Sequence, residues 1–190
     1  MLKRLLLSLS IFIFVVYLLS LIISEDIYIE RTKLINAPAD AVFQQIADMD
    51  KWKQWNTFSS VNREEKLKVD YTRDDADIIV EMNSKDGKGN NISVRFGEVI
   101  ENQKVETFFF YVIDKQEVKS ISTFYLSDTD PSQTTVRWLY QGNYGPIVGS
   151  FLPFRVFLLI SKYLLRSQMD KSLDKLNDLL TKEPSPTVDK

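Results

Sequence analysis

The chain has 190 residues, with 24 basic and 26 acidic side chains and a formal net charge of −2 at pH 7, so nothing global indicates nucleic-acid binding. It contains no Cys and no His. This excludes disulfides, thiol nucleophiles, thiolate zinc sites and histidine-based catalysis or metal ligation. An enzyme built on carboxylates or tyrosine remains open but is the less favoured class, and we expect no cofactor and no metal.

The N-terminus predicts a membrane anchor in residues 1–24. Residues 5–23 carry no charge, follow Lys3 and Arg4, and precede Glu25 and Asp26. As a helix they would span about 28 Å, close to the thickness of a bilayer's hydrocarbon core. A cleaved signal peptide is the alternative, although the apolar run is long for one and no small-residue cleavage motif precedes Glu25. We expect the N-terminus inside and the following domain outside the membrane, in the periplasm.

Residues 26–181 predict one folded domain, and residues 182–190 a disordered tail. Residues 26–36 alternate as a strand, and the break at Ala37-Pro38 starts a short helix that buries Val42, Phe43 and Ile46. Trp52 and Trp55 then fall in a predicted polar loop, residues 51–60.

The middle of the chain predicts an antiparallel meander with short polar turns, among them Arg73-Asp74-Asp75 and Glu101-Asn102-Gln103. The predicted strands are residues 64–71, 77–82, 91–100, 105–113, 117–126 and 134–141, which with the first strand makes seven. Alternation assigns Val118, Ser120, Ser122, Phe124 and Leu126 to one face, and likewise Val136, Trp138 and Tyr140. Because residues 105–113 are apolar on both faces, they predict a strand that is central or covered on both sides. The apolar faces together exceed what one helix covers, which leaves a thick aromatic core or a cavity.

Residues 153–180 predict one long helix, with an apolar stripe that includes Leu158, Met169, Leu173 and Leu176. Its first half carries further apolar residues beside a strip of basic side chains, formed by Arg155, Lys162 and Arg166. This pattern is typical of a helix that contacts a membrane surface. The alternative is that the extra apolar side chains pack under the tryptophan segment or line the cavity.

Two segments resemble the polyketide cyclase/dehydrase and lipid-transport family of the START-like, Bet v 1-like (SRPBCC) superfamily. They are Ile35-Asn36-Ala37-Pro38-Ala39-Asp40-Ala41-Val42-Phe43, followed by Asp48 and Trp52-x-x-Trp55, and Thr134-Thr135-Val136-Arg137-Trp138. The resemblance implies an α+β helix-grip fold, with a seven-stranded antiparallel sheet wrapped around the C-terminal helix and a hydrophobic cavity between them. Members typically bind lipids, sterols, polyketides or other apolar molecules, and a few are enzymes.

The chain also looks like membrane-anchored bacterial members in which such a domain precedes an effector-binding domain. No second domain follows here, so we expect that second activity to be absent. Similar sequences often carry a glycine-rich turn after the second strand, whereas this chain has Thr72-Arg73-Asp74-Asp75-Ala76. Any ligand contact made by that turn is therefore not carried over.

The implied cavity suggests a ligand-binding set of aromatic residues, with plain core packing as the alternative for each. The set is Trp52, Trp55, Tyr71, Phe96, Phe109, Tyr111, Phe124, Trp138 and Tyr140. Asp74, Asp75 and Asp77 form an acidic cluster that lacks the ligand spacing of a calcium loop, so we interpret it as a solvated hairpin turn.

Three functions follow as hypotheses. The favoured one is a membrane-tethered binding protein for a hydrophobic, lipid-like ligand, with the membrane as second partner and no nucleic acid. The second is a cyclase- or hydrolase-like enzyme, which would need a carboxylate or Tyr that points into the cavity. The third is an interaction module whose interior is filled.

Overall fold

The computed structural model describes residues 2–57, 67–74, 77–84, 91–113, 116–145 and 154–181. For residues 2, 67–74, 77–84, 91–93, 112–113, 116–117, 129 and 154 it describes the backbone alone. The predicted disordered tail lies outside the described residues.

The chain begins with helix α1 (Leu2–Ile22), strand β1 (Asp26–Ile35) and two short helices, α2 (Ala39–Ile46) and α3 (Met49–Trp55). The strands that follow are β2 (Leu67–Asp74), β3 (Asp77–Ser84), β4 (Asn91–Ile100), β5 (Lys104–Ile113), β6 (Gln116–Asp130) and β7 (Gln133–Asn143). Helix α4 (Phe154–Thr181) is the last described element and has 28 residues.

The strands form one antiparallel sheet in the order β1-β7-β6-β5-β4-β3-β2. The α+β class, the antiparallel sheet, the long C-terminal helix and the N-terminal apolar helix are therefore confirmed. Strand β5 lies in the middle of the sheet, as its two apolar faces predict. On its outer face, the Lys119 ammonium lies 4.1 Å from the Phe108 ring centre, and the Arg95 guanidinium 5.3 Å from that of Phe110. These cation–π contacts cover aromatic side chains that would otherwise meet water.

Several strand ends differ from the prediction. The predicted turn at Arg73-Asp74-Asp75 is wrong at its first two positions, because β2 continues through Asp74, which pairs with Asp77. Strand β6 runs to Asp130, past the predicted end at residue 126. Ladder hydrogen bonds join backbone atoms, so polar residues extend a strand as readily as apolar ones. The turn at residues 101–103 lies where predicted, with Asn102 at φ 57°, a conformation that Asn tolerates.

One face of the sheet, called the inner face here, carries the core, and α2 and α4 pack on it. The predicted faces of β6 and β7 are confirmed: Val118, Ser120, Ser122, Phe124 and Leu126 are buried, and so are Val136, Trp138 and Tyr140. On α4, the stripe residues Leu158, Met169, Leu173 and Leu176 are buried.

Strand β1 carries two cations on its inner face, between its buried isoleucines. Arg31 pairs with Asp170 of α4 at an N–O distance of 3.0 Å, and Lys33 pairs with Asp174. The edge of the sheet is thus joined to α4 by apolar contacts and by ion pairs that remain partly exposed to solvent.

The predicted polar loop with Trp52 and Trp55 is wrong, because both residues lie on helix α3. The Asp48 carboxylate accepts a hydrogen bond of 3.0 Å from the backbone N–H of Asp50, which caps the helix. Trp52 and Trp55 are three residues apart, so they share one face of α3, and they are 5% and 0% exposed. The cap and the burial of two indoles outweigh the polar residues between them.

Candidate ligand-binding face of the sheet

One end of the inner face, called the tryptophan end here, is filled by four aromatic rings. The ring centres of Trp55 and Phe124 are 6.1 Å apart, those of Phe124 and Trp138 are 4.6 Å apart, and those of Trp52 and Trp55 are 5.9 Å apart. Such offset and edge-on contacts are favourable for aromatic pairs. The four rings form a tightly packed layer between the sheet and helix α3.

The indole nitrogens of this layer are all satisfied. Trp52 donates to the carbonyl of Ile46 at 2.8 Å, and Trp55 donates to the carbonyl of Gln45 at 3.2 Å. Trp138 donates to the hydroxyl of Ser122 at 2.6 Å. Satisfied N–H groups and nearly complete burial are what a structural layer requires, so this geometry favours core packing for the three tryptophans.

The other end of the inner face, called the tyrosine end here, is lined by hydroxyl groups. Its members are Tyr111 on β5, Ser120 on β6, Tyr140 on β7 and Tyr144 just after β7. The hydroxyls of Tyr140 and Tyr144 are 2.6 Å apart and share a hydrogen bond. Ser120 is fully buried, and its hydroxyl makes no hydrogen bond of ordinary geometry within the described part of the chain, although it lies close enough to the phenols of Tyr111 and Tyr140 to lower their pKa values. An unsatisfied buried hydroxyl is costly, which makes Ser120 a candidate for contact with a ligand or a water molecule.

Burial raises the pKa values of the phenols at this end, which are uncharged at neutral pH. Desolvation, followed by the charge interaction with Tyr140, raises the pKa of Tyr111 well above its usual value. Desolvation also raises the pKa of Tyr140, and it raises the pKa of Tyr144 to about 12. At neutral pH these groups therefore donate and accept hydrogen bonds without charge.

Small side chains make room at the tyrosine end. Ser120 lies opposite Gly142 in the β6–β7 pairing and opposite Phe109 in the β5–β6 pairing. A Cβ atom at Gly142 would lie 3.0 Å from both the Cβ of Ser120 and the ring of Tyr144. Glycine is therefore what lets the Tyr144 ring approach the sheet so closely.

The tyrosine end lies at the edge of the domain that is next to the C-terminal end of α1. Gly142 pairs with Ile27 of β1, and the backbone N–H of Tyr144 donates to the carbonyl of Glu25 at 3.0 Å. Glu25 is three residues beyond the end of α1. The hydroxyl-lined part of the inner face is thus close to the C-terminal end of α1, which we call the exit of α1.

The structure places the sequence-predicted site residues in both groups. Phe109 and Tyr111 form a stacked pair with ring centres 6.3 Å apart, and Phe109 also lies 6.4 Å from Trp52, so this pair connects the two ends. Phe96 packs against the same core from β4. The Tyr71 side chain lies outside the described residues.

Two members of the tyrosine end were missed by the sequence interpretation as site residues, Ser120 and Tyr144. Small hydroxyl side chains at 120 and 122, on an otherwise apolar strand face, were an available signal. Tyr144 follows the last residue of β7, where alternation no longer assigns a face, so no pattern pointed to it. On the same face, positions 105–111 of β5 and 118–126 of β6 carry no carboxylate. The described residues contain no cluster of acidic residues that could hold a metal ion.

Helix α1 is long and apolar enough, from Lys3 to Ile22, to cross a membrane, and a signal sequence would pass the same criterion. The sheet, with its inner face covered by helices and its combination of aromatic and hydroxyl side chains, defines an α+β protein with a Bet v 1-like fold. The family profile described as polyketide cyclase/dehydrase and lipid transport matches residues 26–181, and the chain belongs to this family.

Solved structures share the fold at low sequence identity. Protein CV1439 from Chromobacterium violaceum has a TM-score of 0.54 and 15% identity, over 82% of this chain and 98% of that one. A protein from Rhizobium leguminosarum has a TM-score of 0.52 and 12% identity, over 83% and 96%. The di-domain ARO/CYC StfQ from the steffimycin biosynthetic pathway has a TM-score of 0.54 and 12% identity, over 82% of this chain and 51% of that one. A search of curated proteins finds no match.

Proposed function

We propose that this protein is a membrane-tethered binding protein that holds a hydrophobic, lipid-like ligand between the inner face of the sheet and helix α4. In the helix-grip arrangement, a seven-stranded sheet wraps around that helix and the ligand lies between them. The observation that carries the proposal is the tyrosine end, where the buried hydroxyls of Ser120, Tyr111 and Tyr140 converge and that of Ser120 makes no hydrogen bond of ordinary geometry in the described part of the chain. Apolar sites with a few convergent polar groups are typical of small-molecule binding.

The chemistry of the tyrosine end supports an uncharged polar group on the ligand. Tyr111, Tyr140 and Ser120 offer hydroxyls, and no carboxylate or cation at positions 105–111 of β5 or 118–126 of β6 shares their face. A ligand with an apolar body and one oxygen atom at its end would satisfy Ser120 and bury its body against Phe109 and neighbouring rings. Apolar burial contributes roughly 25 cal/mol per Å² before the cost of ordering the ligand, so the body would supply most of the affinity.

The apolar helix α1 supports the tether. It precedes β1 by only three residues, and the tyrosine end lies beside its exit. A site at that position would lie close to the source of a membrane lipid, which suits a ligand that partitions into the bilayer and has little solubility in water.

The test is identification of a bound ligand by native mass spectrometry. A soluble form that begins at Ser24 would be purified, its intact mass measured under native conditions, and its organic extract analysed. We expect a co-purified apolar molecule. Ser120→Leu should remove it by filling the tyrosine end, whereas Gln141→Leu, which places the same side chain on the outer face of β7, should retain it.

Two outcomes would contradict the proposal. An empty protein that also takes up no fluorescent fatty acid would favour the interaction module with a filled interior. Equal ligand content in the Ser120→Leu and Gln141→Leu variants would show that the ligand does not bind at the tyrosine end. For the comparison of the two variants to be valid, their circular dichroism spectra must match that of the parent chain.

A cyclase-like enzyme is the second candidate, and the tyrosines are the observation that favours it. StfQ, which shares the fold, is described as an ARO/CYC protein. With raised pKa values, Tyr111 and Tyr140 stay protonated at neutral pH, so they would act as hydrogen-bond donors and at most as weak general acids, and not as bases. If the extracted ligand changes mass on incubation with the protein, and Tyr140→Phe stops the change but retains the ligand, the enzyme is favoured over the binding protein.

A further inference from the structure

Helix α4 has two halves with different surroundings. In the second half, Met169, Leu173 and Leu176 are buried in the core. The first half exposes five large apolar side chains, which are between 51% and 72% exposed. We call them the apolar face of α4: Phe157, Leu159, Ile160, Tyr163 and Leu164. At about 100° per residue they lie within an arc of about 160°, so they form one continuous surface.

Neighbouring surfaces of the helix show that this face is not the one that packs on the domain. Leu158 is buried, and Leu165 is packed against the core. Lys162 and Arg166 lie between the buried side and the apolar face, and within the described part of the chain neither has an ion-pair partner. Exposed apolar residues bordered by cations are the pattern of a helix that lies in the interface of an anionic bilayer.

The predicted basic strip needs one correction. Arg155 forms an ion pair with the carboxylate of Glu25, so its charge is neutralised inside the protein. Its role is to hold the start of α4 beside the exit of α1. Lys162 and Arg166 remain as the cations that could meet lipid head groups.

The position of α1 indicates that a lipid bilayer covers the apolar face. Helix α1 packs against α4, and Ser20, close to the end of α1, is fully buried. Large apolar side chains along α1 are exposed, as lipid-facing residues of a membrane helix are. Because Glu25 is also bound to Arg155 and to the backbone of Tyr144, the exit of α1 is held against the start of α4. A bilayer crossed by α1 must therefore meet the first half of α4.

We propose that the first half of α4 is an interfacial membrane helix, with its apolar face embedded in the anionic bilayer that α1 crosses. This inference rests on the membrane tether of the proposed function but on no property of the ligand. Embedding removes the apolar face from water, and it directs the tyrosine end, which is held at the same exit through Glu25, towards the lipid surface.

The chain has no cysteine, so single cysteines can be introduced for site-specific labelling. The full chain would be reconstituted in vesicles of phosphatidylcholine and phosphatidylglycerol, with an environment-sensitive fluorophore at one position. Ile160→Cys and Leu164→Cys test the apolar face. Lys171→Cys and Lys175→Cys are matched controls, exposed positions in the second half of the same helix. Phe12→Cys in α1 reports on the tether itself.

We expect labels at Ile160 and Leu164 to be quenched by nitroxides attached to lipid tails and protected from iodide, several-fold more than labels at Lys171 and Lys175. Lys162→Glu combined with Arg166→Glu should lower the lipid quenching at Ile160, and pure phosphatidylcholine vesicles should do the same. A label at Phe12 should be quenched by lipid in every case.

Three results would overturn the inference. Iodide access at Ile160 and Leu164 equal to that at Lys175, with Phe12 quenched by lipid, would show that α1 is inserted and α4 is not. Protection from iodide without lipid quenching would indicate a second copy of the chain or another protein on this face. No lipid quenching at Phe12 would show that α1 does not cross the bilayer, which would contradict the membrane tether of the proposed function. Ligand binding would still be decided by its own test.

Discussion

The backbone N–H of Thr57 donates a hydrogen bond of 2.9 Å to the hydroxyl of Ser172, and this bond joins the end of α3 to α4. The Thr57 hydroxyl lies 2.8 Å from the same oxygen and donates to the carbonyl of Gln168 at 2.9 Å. Both residues are buried, although 115 positions separate them. The contact fixes the tryptophan-bearing helix against the long helix.

A form of the chain that begins at Ser24 should fold as a soluble α+β protein. The contacts that close the core, including Thr57 with Ser172 and the β1–β7 pairing, all lie after that residue. Far-ultraviolet circular dichroism should show mixed helix and strand, with a cooperative urea transition. A spectrum of random coil would mean that α1 is needed for folding.

Replacement of Ser172 by Ala should destabilise that form by about 1–3 kcal/mol, because it removes the acceptor of the buried Thr57 N–H. Ser161→Ala is the control, since among the described residues the Ser161 hydroxyl donates only within its own helix, to the carbonyl of Phe157. The free energy of unfolding from urea melts should change by less than about 0.5 kcal/mol in the control. Equal losses of unfolding free energy in the two variants would show that the contact between Thr57 and Ser172 does not stabilise the fold.

Trp138→Ala should cost about 3–5 kcal/mol, as the loss of a large core aromatic does. Trp138 is 2% exposed and packs on Phe124 and Trp55. Arg137→Ala, one residue away on the opposite face, should cost less than about 1 kcal/mol, because its contacts with Glu30 and the Tyr125 ring are at the surface. Urea melts of both variants check the difference, and similar losses would contradict the assigned faces of β7.

The ion pair between Lys33 and Asp174 should contribute little to stability. Both side chains are partly exposed, so solvent and salt screen their attraction. Asp174→Asn should therefore lower the free energy of unfolding by less than about 1 kcal/mol. Leu173 is its neighbour and is buried, so Leu173→Ala should lower the free energy of unfolding by about 2–5 kcal/mol. A larger loss for Asp174→Asn would show that the pair is more desolvated than its exposure indicates.

Stability should fall in alkaline solution partly because of Tyr144. Its pKa rises from 10.0 to about 12 on folding, so between these values the native state holds a proton that the unfolded chain has lost. Stability therefore decreases as the pH rises through this window, by up to about 2 kcal/mol for this group. Urea melts at about pH 9 and about pH 11 should show a smaller decrease for Tyr144→Phe than for the parent chain. An identical decrease would mean that the phenol ionises normally in the folded protein.

Alternation along β6 and β7 and the apolar stripe of α4 could be predicted from the sequence. Both patterns follow from local backbone geometry, in which side chains repeat every two residues in a strand and every 3.6 in a helix. The central position of β5 was predictable for a related reason, since a strand that is apolar on both faces has to be covered on both.

The surroundings of each pattern were decided by tertiary structure alone. Trp52 and Trp55 lie on a buried helix because Asp48 caps it and the sheet presents Phe124 and Trp138 to their rings, which no local pattern specifies. The tyrosine end combines residues of β5, β6 and β7, so it exists only through the strand register.

Helix α4 shows the same division most clearly. Its sequence contains more apolar residues in the first half than one buried stripe needs, but it does not say which of them the domain covers. The pairing of Arg155 with Glu25, across 130 positions, orients the start of the helix and leaves Phe157, Ile160 and Leu164 exposed beside α1. Burial depends on what packs against a side chain, and that is a property of the folded chain as a whole.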